Sequence, residues 1–254
     1  MRDIQKEKPD FAFPLNKVGV KDIDYPLVVL DKENQEQHTV AKVNMYVNLP
    51  HTYRGTHMSR FIEILKKYRG KITYKQIRHL LQDMKETFDA ECAHIELDFP
   101  YFIEKTAPVS GQKSLLKYSV KFDARLGKKY HFILNVRIPV LTLCPCSKEI
   151  SEYGAHNQRS IINISIESKG LFWIEDLVKI GEDAASSEIF SLLKRSDEKF
   201  ITEKAYDNPM FVEDVVRKIA EQLDKDENIK WFSVGVESFE SIHNHSAFAY
   251  YEKK

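Results

Sequence analysis

The sequence predicts an α+β fold assembled from paired strands and paired helices, and three observations carry that reading. Residues 40–49 alternate apolar and polar side chains, the period-two pattern of a half-buried strand. Residues 58–68 and 73–88 instead repeat at helical spacing, through Phe61, Ile62, Leu65 and Tyr68 in the first and Ile77, Leu80, Leu81 and Met84 in the second. The third observation is order: strand–strand–helix–helix–strand–strand runs through the chain twice, once a weak strand near 25–30 is counted. Helix pairs set between strand pairs indicate α+β with antiparallel pairing rather than alternating βαβ units.

In chain order, residues 1–23 are polar, carry Pro9 and Pro14, and read as an N-terminal arm. A first module spans 24–125 and a second 126–254, with no linker composition between them, so the two are expected to pack as one catalytic unit. In the first, a polar loop at 51–57 separates strand from helices, and strands near 91–104 and 114–124 flank a loop with Pro108 and Gly111. In the second, 129–143 is a long β-rich run and 159–167 alternates through Ile162, Ile164 and Ile166. A helical stretch runs from about 171 to 195. Pro209 precedes a helix over 211–223, with Asp207 or Asn208 as its N-cap, and strands near 230–239 and 244–251 close the chain. Open sheet edges need covering or pairing, which is met if several copies close into a barrel.

Composition narrows the function. Of 254 residues, 43% are hydrophobic, enough for a sizeable core. Lys+Arg and Asp+Glu are 38 each, so no general field draws the chain to nucleic acid or an anionic membrane, and neither is expected as a partner. No apolar run reaches the roughly 20 residues of a membrane span, and residues 1–8 lack a signal-peptide core. The three cysteines, Cys92, Cys144 and Cys146, are not a disulfide framework, which points to a cytoplasmic setting.

The segment that carries chemistry is Cys144-Pro145-Cys146, at the end of the apolar run 136–143, followed by His156 in a polar, Gly-containing loop. Thiolate and imidazole suit borderline-soft divalent ions. A local set short of the usual structural zinc ligands fits a catalytic centre that keeps a position for water. The competing reading, two strand-end cysteines packed in a core, is weakened by the polar loop with His156, Asn157 and Arg159. A redox pair would more often be spaced CxxC at a helix start.

These residues bear a family resemblance. Leu143-Cys-Pro-Cys-Ser-Lys-Glu-Ile-Ser151 and Gly154-Ala-His-Asn-Gln-Arg-Ser160 resemble the type IB GTP cyclohydrolases, the FolE2 family. So do Val47-Asn-Leu-Pro50 with Gly55-Thr-His-Met-Ser-Arg-Phe61, Tyr206-Asp-Asn-Pro-Met-Phe-Val-Glu-Asp214, and Ser238-Phe-Glu-Ser-Ile-His-Asn-His-Ser-Ala-Phe-Ala249. The motifs fall in order over almost the whole chain. The resemblance implies a tunnelling fold, a homotetramer with active sites at subunit interfaces, and conversion of GTP and water to formate and 7,8-dihydroneopterin triphosphate, the first step towards tetrahydrofolate. It implies one divalent metal ion per active site, zinc or manganese, with iron as an alternative. Cys144, His156, Glu198 and His243 match metal ligands, with His243 also a candidate acid/base. Cys146, Glu240 and His245 match catalytic positions, and Glu213 matches the purine anchor.

The chemistry fits those assignments. GTP carbon-8 is weakly electrophilic, and a divalent metal brings a water near to hydroxide at neutral pH. Protons must reach nitrogens 7 and 9, a task for imidazoles such as His243 or His245. A carboxylate can accept from both the ring N–H and the amino group of guanine, and Glu213 sits at a helix start, where the dipole favours negative charge. His57, Ser59 and Arg60 open a helix and offer a triphosphate site, with Arg54, Arg159 and Lys148 as further cations. His38, His79, His94 and His131 read as structural or surface residues, and Cys92 as a buried strand cysteine. Two alternatives stand beside this reading. One is another tunnelling-fold pterin or purine enzyme: a nitrile reductase, a pterin synthase, or the archaeal-type cyclohydrolase with a cyclic phosphate product. The other is a non-catalytic purine- or metal-binding assembly.

Overall fold

The structure is a computed structural model that describes residues 4–70 and 72–253. The first three residues of the arm and the last residue of the second module lie outside the described residues. Strands and helices largely follow the sequence order, and the chain divides into two compact units. One comprises Met1–Pro100 with Lys121–Leu134, the other Tyr101–Val120 with Asn135–Lys254.

In the first unit, β1 (Leu15–Asp31) and β2 (Gln35–Leu49) form a long antiparallel hairpin. β1 therefore begins inside the segment read as an arm, and residues 15–23 are strand. Its signal is broken because the register shifts between Val20 and Ile23, where Asp22 takes φ 57. Gly19 is required here, since a Cβ would overlap the Met45 carbonyl oxygen on β2. β2 pairs antiparallel with β3 (Ala93–Thr106). Ala41, Val43, Met45, Val47 and Leu49 bury one face of β2, as the alternation predicts. α1 (Met58–Lys67) and α2 (Tyr74–Phe88) bury Phe61, Ile64 and Leu65, and Ile77, Leu80, Leu81 and Met84. Ile62, expected in that stripe, is instead 47% exposed, and Ile64 takes its place. A Thr73–Gln76 capping box opens α2. β3, β4 (Lys113–Leu126) and β5 (Tyr130–Leu143) each give residues to both units.

The second unit orders its strands β3-β4-β5, then β6 (Asn157–Ser168), β8 (Ile229–Ser238) and β9 (Ala247–Glu252), with β7 (Ser187–Glu188) paired to β5. β6, β8 and β9 pair antiparallel, Ile162 opposite Val236 and Val236 opposite Ala249. α4 (Ile174–Ala184) and α6 (Val212–Asp224) bury Leu177, Val178, Val215, Ile219 and Leu223. The helical stretch expected over 171–195 ends earlier, at Ala184, and a separate α5 (Arg195–Asp207) follows β7. The N-cap of α6 is Phe211, not Asp207 or Asn208. Asp207 is the last residue of α5, and Asn208 closes it while donating its side-chain amide to the Ala185 carbonyl at 2.8 Å. The long β-rich run is followed at once by α3 (Pro145–Ile150), a helix the sequence reading did not foresee.

Candidate active site

The site grows from the end of β5. Leu143 is the last strand residue; Cys144 is the N-cap of α3 and Pro145 its first helical residue, where a missing N–H costs nothing. The Cys144 backbone N–H donates to the His156 carbonyl at 3.1 Å, which ties the two motif halves together. The Ser147 N–H donates to the Cys144 sulfur at 3.4 Å, and the His156 N–H donates to the Ser147 hydroxyl at 3.2 Å. The Met210 N–H donates to the Leu143 carbonyl at 3.1 Å, which brings the start of α6 to the same spot. Behind this corner, the buried Thr142 hydroxyl meets Ser160 at 2.7 Å and Ser238 at 3.3 Å, locking the ends of β5, β6 and β8.

Beside these contacts lies a half-open cavity of about 340 Å³, within the range of small-molecule sites. It collects Cys144, Glu213, Glu240, His243 and His245 from three separated motifs, with Met210, Phe211 and Phe248 as apolar wall. The His243 and His245 rings stack, with centroids 5.1 Å apart and 18° between planes. Glu213 lies in the first turn of α6. His156 stands beside the cavity: its Nδ1 is 2.9 Å from the Gln158 Oε1, and the Gln158 amide donates to Glu240 at 3.3 Å. His156 Nδ1 is also 4.0 Å from the second Glu240 oxygen.

Other expected residues lie elsewhere. Cys146 is exposed and does not line the cavity. Glu198 is exposed in the first turn of α5 and does not line it either. Its neighbour Asp197 is fully buried and accepts from the Val109 and Ser110 backbones, the Ser110 hydroxyl and the Lys194 backbone. Burial opposes the Asp197 charge, but the Ser110 hydroxyl and the backbone donors outweigh it and hold the carboxyl well below the usual range. His57, Ser59 and Arg60 open α1 in the first unit, and Arg60 donates to the Thr87 carbonyl at 3.5 Å. Lys148 is engaged with Tyr206, its ammonium donating to the carbonyl at 2.5 Å and lying 4.3 Å from the ring centroid. Arg159 faces a separate groove of about 490 Å³ with Lys117 and Arg137. His94 is packed against Cys92, ring nitrogen to sulfur 3.3 Å, and its pKa is pushed down to about 4, first by burial and then by Lys17 and Arg125.

Cys144 and His156 are donors of the right kind for a divalent ion, held on one loop. The described residues nonetheless contain no group of three or more His, Cys, Asp or Glu arranged to hold a metal ion within one chain. Cys144 and His156 thus fit such an ion in kind. Gln158 is the site residue that sequence reasoning missed. The signal lies in the register of β6: Ile162, Ile164 and Ile166 occupy the even, inward positions, and extending that period of two backward puts Gln158 on the same buried face as Ser160.

A family model described as type I GTP cyclohydrolase folE2 matches residues 1–249. GTP cyclohydrolase FolE2 of Geotalea uraniireducens (strain Rf4) is 56% identical over 253 residues, covering 100% of this chain and 93% of the relative. That of Syntrophotalea carbinolica is 54% identical over 252 residues, covering 99% and 95%. That of Geobacter sulfurreducens is 54% identical over 253 residues, covering 100% and 98%. Among solved structures, uricase from Arthrobacter globiformis superposes with a TM-score of 0.52 at 10% identity, covering 94% of this chain and 92% of that one. A highly active mutant P287G of BTUO does so with a TM-score of 0.59 at 9% identity, covering 94% and 99%. At such identities the likeness is one of fold, the tunnelling fold of the uricases.

Proposed function

The chain belongs to the FolE2 family of type I GTP cyclohydrolases, and from that premise we propose how its residues convert GTP and water to formate and 7,8-dihydroneopterin triphosphate. GTP cyclohydrolase is its activity and GTP its substrate. The observation that carries the mechanism is the single cavity gathering Cys144, Glu213, Glu240, His243 and His245. Glu213 accepts from the ring N–H and amino group of guanine, a pattern adenine lacks. Phe211 and Phe248 give the purine an apolar wall. The stacked imidazoles His243 and His245 hold and deliver the protons that nitrogens 7 and 9 take up as the ring bonds break.

Cys144, His156, Glu198 and His243 are the proposed ligands of one divalent metal ion, zinc or manganese, with iron as an alternative. When bound, that ion supplies Lewis acidity for attack of water at carbon-8 and on the formyl amide. Cys146, which lies outside the cavity lining of one copy, is assigned to the substrate rather than the metal on the family resemblance alone. The triphosphate is assigned to His57, Ser59 and Arg60 at the start of α1.

We assign a homotetramer with active sites at subunit interfaces. Large apolar side chains exposed beside the site support it. Ile150, the last residue of α3, is 84% exposed, Tyr153 just beyond it is 96% exposed, and Phe248 is 66% exposed on the edge strand β9. No helix among the described residues is long and apolar enough to cross a membrane, and the three free cysteines suit a reducing, cytoplasmic setting.

The test is release of formate from GTP, abolished by chelation and restored by added metal. Mass spectrometry of the product should show the linear triphosphate; a cyclic phosphate would favour the archaeal-type reaction. Turnover unaffected by exhaustive chelation would overturn the metal assignment.

A further inference from the structure

We infer that Gln158 and Glu240 form a positioning relay that fixes the tautomer of His156, leaving its Nε2 lone pair free for the metal. This rests on the proposed role of His156 as a ligand.

The argument is one of donors and acceptors. The buried Gln158 side chain lies between two partners, its nitrogen 3.3 Å from Glu240 and its oxygen 2.9 Å from His156 Nδ1. An ionised carboxylate can only accept. Glu240 must therefore receive the amide N–H of Gln158, which turns the amide oxygen towards the imidazole. That oxygen is also only an acceptor, so His156 Nδ1 must carry the proton, and in the neutral ring Nε2 is then a bare lone pair. Turning the amide over would set its oxygen against the carboxylate and place the ring proton on Nε2. Glu240 thus acts on His156 through Gln158. It was expected among the catalytic residues, and the geometry gives it a positioning role. Metal-binding histidines commonly hand their other N–H to a carboxylate or carbonyl; here a glutamine carbonyl is interposed.

Two readouts test the relay. Nitrogen-15 spectra of ring-labelled, metal-free protein, taken where His156 is neutral, should show the proton on Nδ1 in the wild type. In Glu240→Gln, which keeps shape but removes the obligate acceptor, both ring forms should appear. Titration with Mn2+ alone should give dissociation constants roughly 10–100-fold weaker for Gln158→Leu and Glu240→Gln, the usual cost of losing such an outer partner. A wild-type proton on Nε2 would overturn the relay, as would unchanged Mn2+ affinity in Glu240→Gln. Cys144→Ala serves as the control for the underlying reading. If it binds Mn2+ like the wild type, the metal assignment fails, while the spectra still judge the relay. Should Gln158→Leu not fold, the isosteric Glu240→Gln and the wild-type spectrum decide alone.

Discussion

Replacing Glu213 by alanine tests the purine seat, and inosine triphosphate, which lacks only the 2-amino group, provides the measure. A hydrogen bond to a charged group contributes about 1.5–3 kcal/mol. Glu213 is solvent-exposed in this chain, so the lower end, about 1.5 kcal/mol per bond, is appropriate. Two bonds to guanine then contribute about 3 kcal/mol, and since each 1.36 kcal/mol is tenfold, the variant should lose about 100-fold in kcat/KM for GTP. The wild type should prefer GTP over inosine triphosphate by about tenfold, the worth of the amino contact alone. The variant should show no preference, because the carboxylate that reads the amino group is gone. Bound metal should not change. Steady-state formate release with each nucleotide, beside metal analysis, measures all of this. A Glu213→Ala enzyme that still prefers GTP by the wild-type factor would refute the assignment, whatever its absolute rate.

Cys144→Ala should lose metal and turnover together, whereas Cys146→Ala should lose turnover and keep metal; equal metal loss in both would defeat that division of labour. In the second unit Glu182 meets Lys105 at 2.5 Å and accepts the Tyr118 hydroxyl at 2.7 Å, with the Lys105 and Glu182 side chains 13% and 12% exposed. Glu182→Ala strands a largely buried ammonium at a cost of about 3–5 kcal/mol, or a Tm drop of about 6–20 °C at fixed protein concentration. A Lys105→Met, Glu182→Leu double variant should regain most of it. A Cβ on Gly181 would lie 2.5 Å from Ile138 Cδ1. Gly181→Ala should therefore destabilise by about 1–3 kcal/mol, less up to about 1 kcal/mol of helix propensity, and adding Ile138→Val should relieve it in urea melts. His94 titrates near 4 in the folded protein against 6.5 ordinarily, so the unfolded chain takes up its proton first as pH falls. Its contribution is whole above pH 6.5 and lost progressively down to about 4; His94→Gln should flatten that part of the stability–pH profile.

Much of this was legible in the sequence because it follows from local periodicity. β2 and β6 alternate with one face buried, and α2 buries the stripe its spacing marks. β1 was legible only in part, since a register shift at Asp22 interrupts the alternation on which a strand is recognised. α3 was missed because a helix of six residues shows too few turns to establish a period. α5 carries a weak apolar stripe, burying little beyond Ile201 and Ala205, and so merged with its surroundings.

The sequence by itself determined the residue types available for chemistry, the order of the longer strands and helices and, through the separated motifs, the family. It could not decide which of two adjacent groups faces inward. Asp197 and Glu198 are equivalent acids on paper, yet Asp197 is consumed by the 107–112 loop while Glu198 points to solvent. Spacing alone does not separate Cys144 from Cys146; the resemblance divides their roles, and the turn into α3 leaves Cys144 in the cavity lining and Cys146 exposed outside it. Periodicity is a property of neighbours along the chain. The proton on His156 depends instead on Glu240, a residue 84 positions away that meets it through Gln158 once β6 and β8 pair, and only tertiary structure supplies that contact.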